Sequence, residues 1–174
     1  AFGHLFSVSP DGSTAIFVTG KNDETWTGTT VVAFDLSSGR VKWQHAINCD
    51  AIACLQISPD CSRVAVGAAF VDCKIHVLDG ATGREVGVLE GQRGWTGGVQ
   101  FVGDGSRILS CSADQVIRLW DVETRVAIRS FRGHSTELRA IALAADNETM
   151  VSGCKDGSVY AWKLSSDRGA RVSG

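Results

Sequence analysis

Nothing in this sequence is long and apolar enough to cross a membrane as a helix. No run of 18 apolar residues occurs among its 174, and a helical span needs about 20. No charged-then-apolar leader opens the chain, so no secretory signal is read, and the expected location is cytoplasmic or nuclear. Positive charge is not in excess. Lys and Arg total 17 against 19 Asp and Glu, a formal net charge of −2. A general nucleic-acid surface needs clustered positive charge, so no nucleic-acid partner is expected. The G-x-x-x-x-G-K-[ST] phosphate loop and the HExxH helix are both missing. No amphipathic helix of useful length appears.

Metal-ligand spacing is missing too. The six cysteines are Cys49, Cys54, Cys61, Cys73, Cys111 and Cys154. Cys49 and Cys54 form a lone C-x4-C pair with no second pair at metal spacing. His4, His45 and His76 stand alone. No metal and no cofactor is therefore expected. A disulfide framework does not fit a chain of this length whose cysteines ignore its repeat. They read as reduced, mostly buried small residues. Asn147-Glu148-Thr149 matches a glycosylation sequon, which carries little weight without a secretory context.

What the chain does have is a repeat. Hydrophobic residues make up 44 %, with 20 glycines and two prolines, which fits a packed core with many tight turns. Val31-Val32-Ala33-Phe34-Asp35, Ile75-His76-Val77-Leu78-Asp79, Ile117-Arg118-Leu119-Trp120-Asp121 and Val159-Tyr160-Ala161-Trp162-Lys163 are four versions of one segment. Phe34 to Leu78 is 44 residues, Leu78 to Trp120 is 42, and Trp120 to Trp162 is 42. A fixed period of that size marks one supersecondary unit used repeatedly, stacked on its neighbours.

Each unit opens with a short apolar strand pattern: Leu5, Phe6 and Val8; Ile52, Cys54 and Ile57; Val99 and Phe101; Leu138, Ile141 and Leu143. A turn follows, as in Ser9-Pro10-Asp11-Gly12 and Ser58-Pro59-Asp60-Cys61. Second strands are expected over 15–19, 64–68, 108–112 and 150–154. The third strands are the repeated segments above. Fourth strands are expected over 41–47, 85–89 and 126–131, with none clear in the last unit. The units fall at 1–48, 49–91, 92–133 and 134–164, and 165–174 reads as a flexible polar tail. Four strands joined by hairpin-length loops make an antiparallel meander, and radial repetition makes it a propeller blade.

Gly133-His134, Ser152-Gly153, Asp156-Gly157 and Trp162 resemble the signature of WD-repeat β-propellers, and Trp120-Asp121 is the dipeptide that names that family. The resemblance covers about residues 4 to 164. It implies an all-β chain of four WD-type, four-stranded blades, and a protein–protein interaction scaffold that is not an enzyme. It also implies that His134, Ser152, Asp156 and Trp162 form a buried hydrogen-bonded tetrad. In that tetrad Asp156 would hold the imidazole of His134, His134 would meet Ser152, and Ser152 would accept from the indole of Trp162. The third unit keeps Ser110, Asp114 and Trp120 but has Gln92 where His134 falls, so its network is expected to be incomplete and its blade held less firmly. In the second unit Asp72 keeps the acidic role and Leu78 has no indole.

His134, Ser152 and Asp156 also have the composition of a hydrolase triad, but no oxyanion hole is visible in sequence. A third possibility is a regulatory propeller attached to a signalling enzyme whose catalytic domain lies outside this chain. Family propellers often bind partners on the rim built by the loops between fourth and first strands and between second and third strands. Trp95, Arg93, Arg139, Lys155, Thr136 and Glu137 map there, with Trp26 in a lengthened loop of the first unit. Tryptophan and arginine are enriched at interface hot spots, and the basic groups would suit an acidic peptide. Packing over a strand entrance or loop, and solvated surface charge, account for the same residues equally simply. Four blades are too few to close the family's usual ring. The expected resolutions are a segment of a longer propeller, two copies closing an eight-bladed ring, or closure by four blades alone.

Overall fold

The computed structural model describes residues 5–20, 29–166 and 169–172. His4 and Trp26 lie outside them. The described residues form strands and turns without a helix.

Four antiparallel meanders follow one another. The first contains β1 (Phe6–Val8), β2 (Thr14–Gly20), β3 (Thr29–Asp35) and β4 (Arg40–Ile47). The second contains β5 (Ile52–Ile57), β6 (Arg63–Ala68), β7 (Ile75–Asp79) and β8 (Glu85–Leu89). The third contains β9 (Thr96–Val102), β10 (Arg107–Ser112), β11 (Ile117–Asp121) and β12 (Ala127–Phe131). The fourth contains β13 (Leu138–Leu143), β14 (Thr149–Cys154), β15 (Val159–Lys163) and β16 (Ala170–Arg171). This is the all-β propeller-blade architecture that the repeat implies, with the sheets in an unclosed arc.

One element departs from the sequence reading. The segment over 165–174 is not tail throughout, because Ala170 and Arg171 pair with Ala161 and Tyr160 of β15. The open edge of β15 supplies unpaired N–H and C=O groups, and two residues suffice to engage it. Their polar surroundings hide them from any apolar pattern.

The recurring aspartates explain the turns. Asp35, Asp79 and Asp121 end their third strands, and each carboxylate accepts from backbone N–H groups of the following turn: Ser38 at 2.8 Å, Thr82 at 2.8 Å and Thr124 at 2.7 Å. Hydroxyls of Ser37, Thr82 and Thr124 donate to the same carboxylates. These are Asx-type turns, in which the side chain satisfies N–H groups that the ladder cannot.

Sheets pack face to face around the first strands, which neighbour one another from sheet to sheet. Ile16, Val31, Ala33, Trp43 and Ile47 of the first sheet meet Ile57, Val64, Val66 and Leu78 of the second. Ala65, Ile75, Val77 and Leu89 meet Val99, Phe101, Ile108 and Trp120 of the third. Leu109, Cys111, Ile117, Leu119 and Phe131 meet Leu138, Ile141, Met150 and Trp162 of the fourth. The close approach of the third and fourth sheets depends on Gly97, where a Cβ would lie 2.5 Å from the carbonyl oxygen of Leu138. Trp43 clips the first sheet to the second, its indole donating to the Gly80 carbonyl at 2.9 Å. It therefore joins the two blades.

The arc's two ends differ from its interior. Phe6 stands where Val99 stands in the third sheet, yet Phe6 is 72 % exposed and Val99 is 4 %. Val151 of the fourth sheet is exposed where Leu109 of the third is fully buried. Each end thus presents a face of the kind that is covered between neighbouring sheets.

Candidate functional site

Under the rim, side-chain networks brace the sheets. In the fourth sheet the indole of Trp162 donates to Ser152 Oγ at 2.9 Å. Ser152 Oγ lies 3.2 Å from His134 Nε2, and His134 Nδ1 lies 3.2 Å from Cys154 Sγ. One proton arrangement satisfies every atom: the serine hydroxyl donates to Nε2, and Nδ1–H donates to the sulfur. Burial pushes the His134 imidazolium below its ordinary range, against the charge of Asp156.

Asp156 does not hold the imidazole. Its carboxylate accepts from the Ser158 hydroxyl at 2.6 Å and the Ser158 N–H at 2.9 Å. Those bonds hold it below the usual carboxylate range. A serine two residues on is nearer than the ring, and Cys154 fills the place beside Nδ1. The hydrolase reading fails as well, because Ser152 is 1 % exposed and its oxygen is already engaged by Trp162.

The third sheet's network is complete, contrary to expectation. Trp120 donates to Ser110 Oγ at 2.8 Å, Ser110 donates to Gln92 Oε1 at 3.1 Å, and Gln92 Nε2 donates to Thr96 Oγ1 at 2.9 Å. An amide carries both an acceptor and a donor, so Gln92 relays the chain as a neutral imidazole would.

Asp114 turns the other way. Its two oxygens pair with the Arg118 guanidinium at 3.0 and 2.8 Å, and it accepts from the N–H groups of Arg93 and Val116. Burial works against its ionisation, but these donors together hold the carboxyl below its ordinary range. The second sheet repeats the pattern. Asp72 accepts at 2.8 Å from Nε2 of His76, four residues on, and Glu85 lies 2.6 Å from Nδ1. His76 is therefore not isolated, as its lone place in the sequence suggested. The signal that could have found it is the i, i+4 spacing shared with Asp114 and Arg118.

The rim residues converge at the junction of the third and fourth sheets. The Arg139 guanidinium stacks on the Trp95 ring, 4.6 Å from its centroid. Arg139 also donates to Glu137 at 2.9 Å, and Lys155 donates to the other Glu137 oxygen at 3.3 Å. Trp95 is half-buried, whereas Arg139 and Lys155 are exposed. Arg93 is exposed two residues before Trp95, and Thr136 is half-buried beside Glu137. No cluster of metal ligands is found among the described residues. The cysteines are free, with Cys49, Cys111 and Cys154 buried and the others intermediate. Burial pushes the Cys54 thiol up to about 12 and that of Cys49 to about 11, which keeps them unreactive.

Strands β8 to β15, with the indoles of Trp120 and Trp162 and the turn aspartate Asp121, fall within one family profile. The profile described as WD domain, G-beta repeat, matches residues 83–121 and 125–163. The chain belongs to the WD-repeat family. It is 29 % identical over 130 residues to the 66 kDa stress protein of Physarum polycephalum, covering 74 % of this chain and 20 % of that protein. It is 37 % identical over 83 residues to WD repeat-containing protein 1 of Xenopus tropicalis, covering 46 % of this chain and 13 % of that one. A third relative is the guanine nucleotide-binding protein subunit beta of Zea mays, 29 % identical over 134 residues, covering 69 % of this chain and 35 % of that one. The chain thus spans about a third or less of the length of these curated relatives. WD-repeat proteins act generally as protein–protein interaction scaffolds.

Proposed function

We propose that this chain forms part of a rigid WD-repeat platform within a larger protein or complex. It binds an acidic segment of a protein partner at the junction of its third and fourth blades. The observation that carries this reading is the stack of Arg139 on Trp95, linked through Glu137 to Lys155. Residues from two blades meet there, so the stiffness of the blade packing fixes their spacing. A half-buried tryptophan beside exposed cations has the composition of an interface anchor. Arg93, Arg139 and Lys155 outnumber the single Glu137 among these side chains, which favours an acidic ligand by electrostatic complementarity.

The test is affinity purification with the intact protein, repeated with Trp95→Ala and Arg139→Ala. Loss of one specific protein with both variants supports the reading, and titration of its acidic segment should then show binding weakened roughly thirtyfold, as for a hot-spot residue. An unchanged set of captured proteins would overturn it.

A further inference from the structure

The second blade carries two residues that the third and fourth lack. Ala69, Ala113 and Lys155 occupy one structural place, since their N–H groups bond to the carbonyls of Ala51, Trp95 and Glu137 at 2.8, 3.0 and 2.9 Å. Asp72, Asp114 and Asp156 share the next place, each three residues before its strand begins. Ala113 and Asp114 are adjacent, as are Lys155 and Asp156. Among the second, third and fourth blades, only the second inserts a pair between them, Phe70 and Val71.

Both inserted residues are apolar and on the surface, Phe70 at 56 % and Val71 at 88 % exposure. Phe70 adopts φ 51° and Cys73 φ 50°, a left-handed backbone that is uncommon for side chains of any bulk. Strain of this kind persists only where surrounding contacts enforce it, and it gathers at functional sites. The contacts are present: the Cys73 thiol donates to the Phe70 carbonyl at 2.8 Å, and the Val71 N–H faces both Asp50 carboxylate oxygens at 3.4 Å. The tip is therefore set in place. Its surroundings are acidic. Asp50 lies against it, Asp72 follows it, and Lys74 is already shared between Asp72 at 3.7 Å and Glu90 at 3.0 Å.

We infer that Phe70 and Val71 form a second docking point on the same rim, which seats the apolar stripe of a basic amphipathic helix from a protein partner. This rests on the rim reading above. It adds a partner chemistry opposite in sign to that of the Trp95 corner, so a partner crossing both corners is held in one orientation. Two adjacent apolar side chains match an apolar helix stripe, and Asp50 beside them, with Asp72 already held by His76 and Lys74, complements flanking lysines.

The test titrates the intact protein with a helical leucine–lysine peptide and a leucine–glutamate counterpart, read by fluorescence anisotropy. The leucine–lysine peptide should bind in preference to the other. Val71→Asp should weaken it at least tenfold, as should excision of Phe70 and Val71 to give the third blade's loop length. Trp95→Ala should leave it unchanged. Equal binding by Val71→Asp and the parent overturns the inference, as does preference for the leucine–glutamate peptide or binding only to phosphatidylcholine vesicles. Capture of an acidic partner that depends on Trp95 but ignores both loop variants overturns this inference alone. Capture that ignores Trp95 overturns the rim reading, and leucine–lysine binding then reports on the loop separately.

Discussion

Replacing Ser152 by alanine should cost this protein more than the loss of one hydroxyl suggests. Ser152 accepts from the Trp162 indole and faces Nε2 of His134, and all three residues are buried. Truncation strands an indole N–H and leaves a ring nitrogen without its donor. Each stranded buried group costs about 1–3 kcal/mol, and the total should come to roughly 2–4 kcal/mol because the ring keeps its contact with Cys154. A domain of this size shifts by about 2–4 °C per kcal/mol, so thermal unfolding should move down by roughly 5–15 °C. Ser110→Ala should produce a fall of the same order, since Gln92 closes the third blade's network as His134 closes the fourth. Circular dichroism melts of both variants beside the parent provide the comparison. A silent Ser110→Ala beside a damaging Ser152→Ala would refute the relay through Gln92. Two silent variants would refute the networks altogether.

His134→Gln should keep the network, because Gln92 already performs that role, but remove its pH dependence. The folded-state value of His134 is held below the ordinary 6.5 by burial. The unfolded chain therefore takes the proton more readily, and the stability from this group is present above pH 6.5 and lost as pH falls below it. Melts across that range should slope less in the variant. Asp114→Ala should destabilise by roughly 3 kcal/mol in a denaturant titration, because it leaves the buried Arg118 guanidinium unpaired. Asp156→Asn should change a melting curve little, since its exposed carboxylate bonds chiefly within the local turn to Ser158. Gly97→Ala should force the third and fourth blades apart at Leu138, visible as faster amide exchange along β13, and unaltered exchange there would contradict the packing.

The blades were readable because their strongest signals are local. Alternating apolar residues, Asp at turn positions and a large apolar side chain at one fixed spacing (Phe34, Leu78, Trp120, Trp162) each follow from the geometry of a single sheet. The partners of buried polar atoms were less readable. Family resemblance assigned Asp156 to His134, but the contact depends on what lies nearest in space, and Cys154 is nearer to Nδ1. Gln92 looked like a missing histidine until its amide was seen to offer both an acceptor and a donor. His76 gained one carboxylate, Asp72, from the turn before its strand and the other, Glu85, from β8. The 44-residue spacing from Phe34 to Leu78 shows two extra residues, but placing them at Phe70 and Val71 needed the loop bonds of Ala69, Ala113 and Lys155. β16 carries no pattern because backbone pairing alone defines it.

The claim on which the rest depends is that each unit is one sheet, wedged against the next, with the indoles of Trp43, Trp120 and Trp162 pinning the first, third and fourth. Hydrogen exchange of the indole N–H groups, read by nuclear magnetic resonance with each tryptophan assigned by substitution, tests it directly. The indoles of Trp43, Trp120 and Trp162, bonded to Gly80, Ser110 and Ser152, should exchange slowly and with similar protection. Rapid exchange at Trp120 and Trp162 would contradict the account.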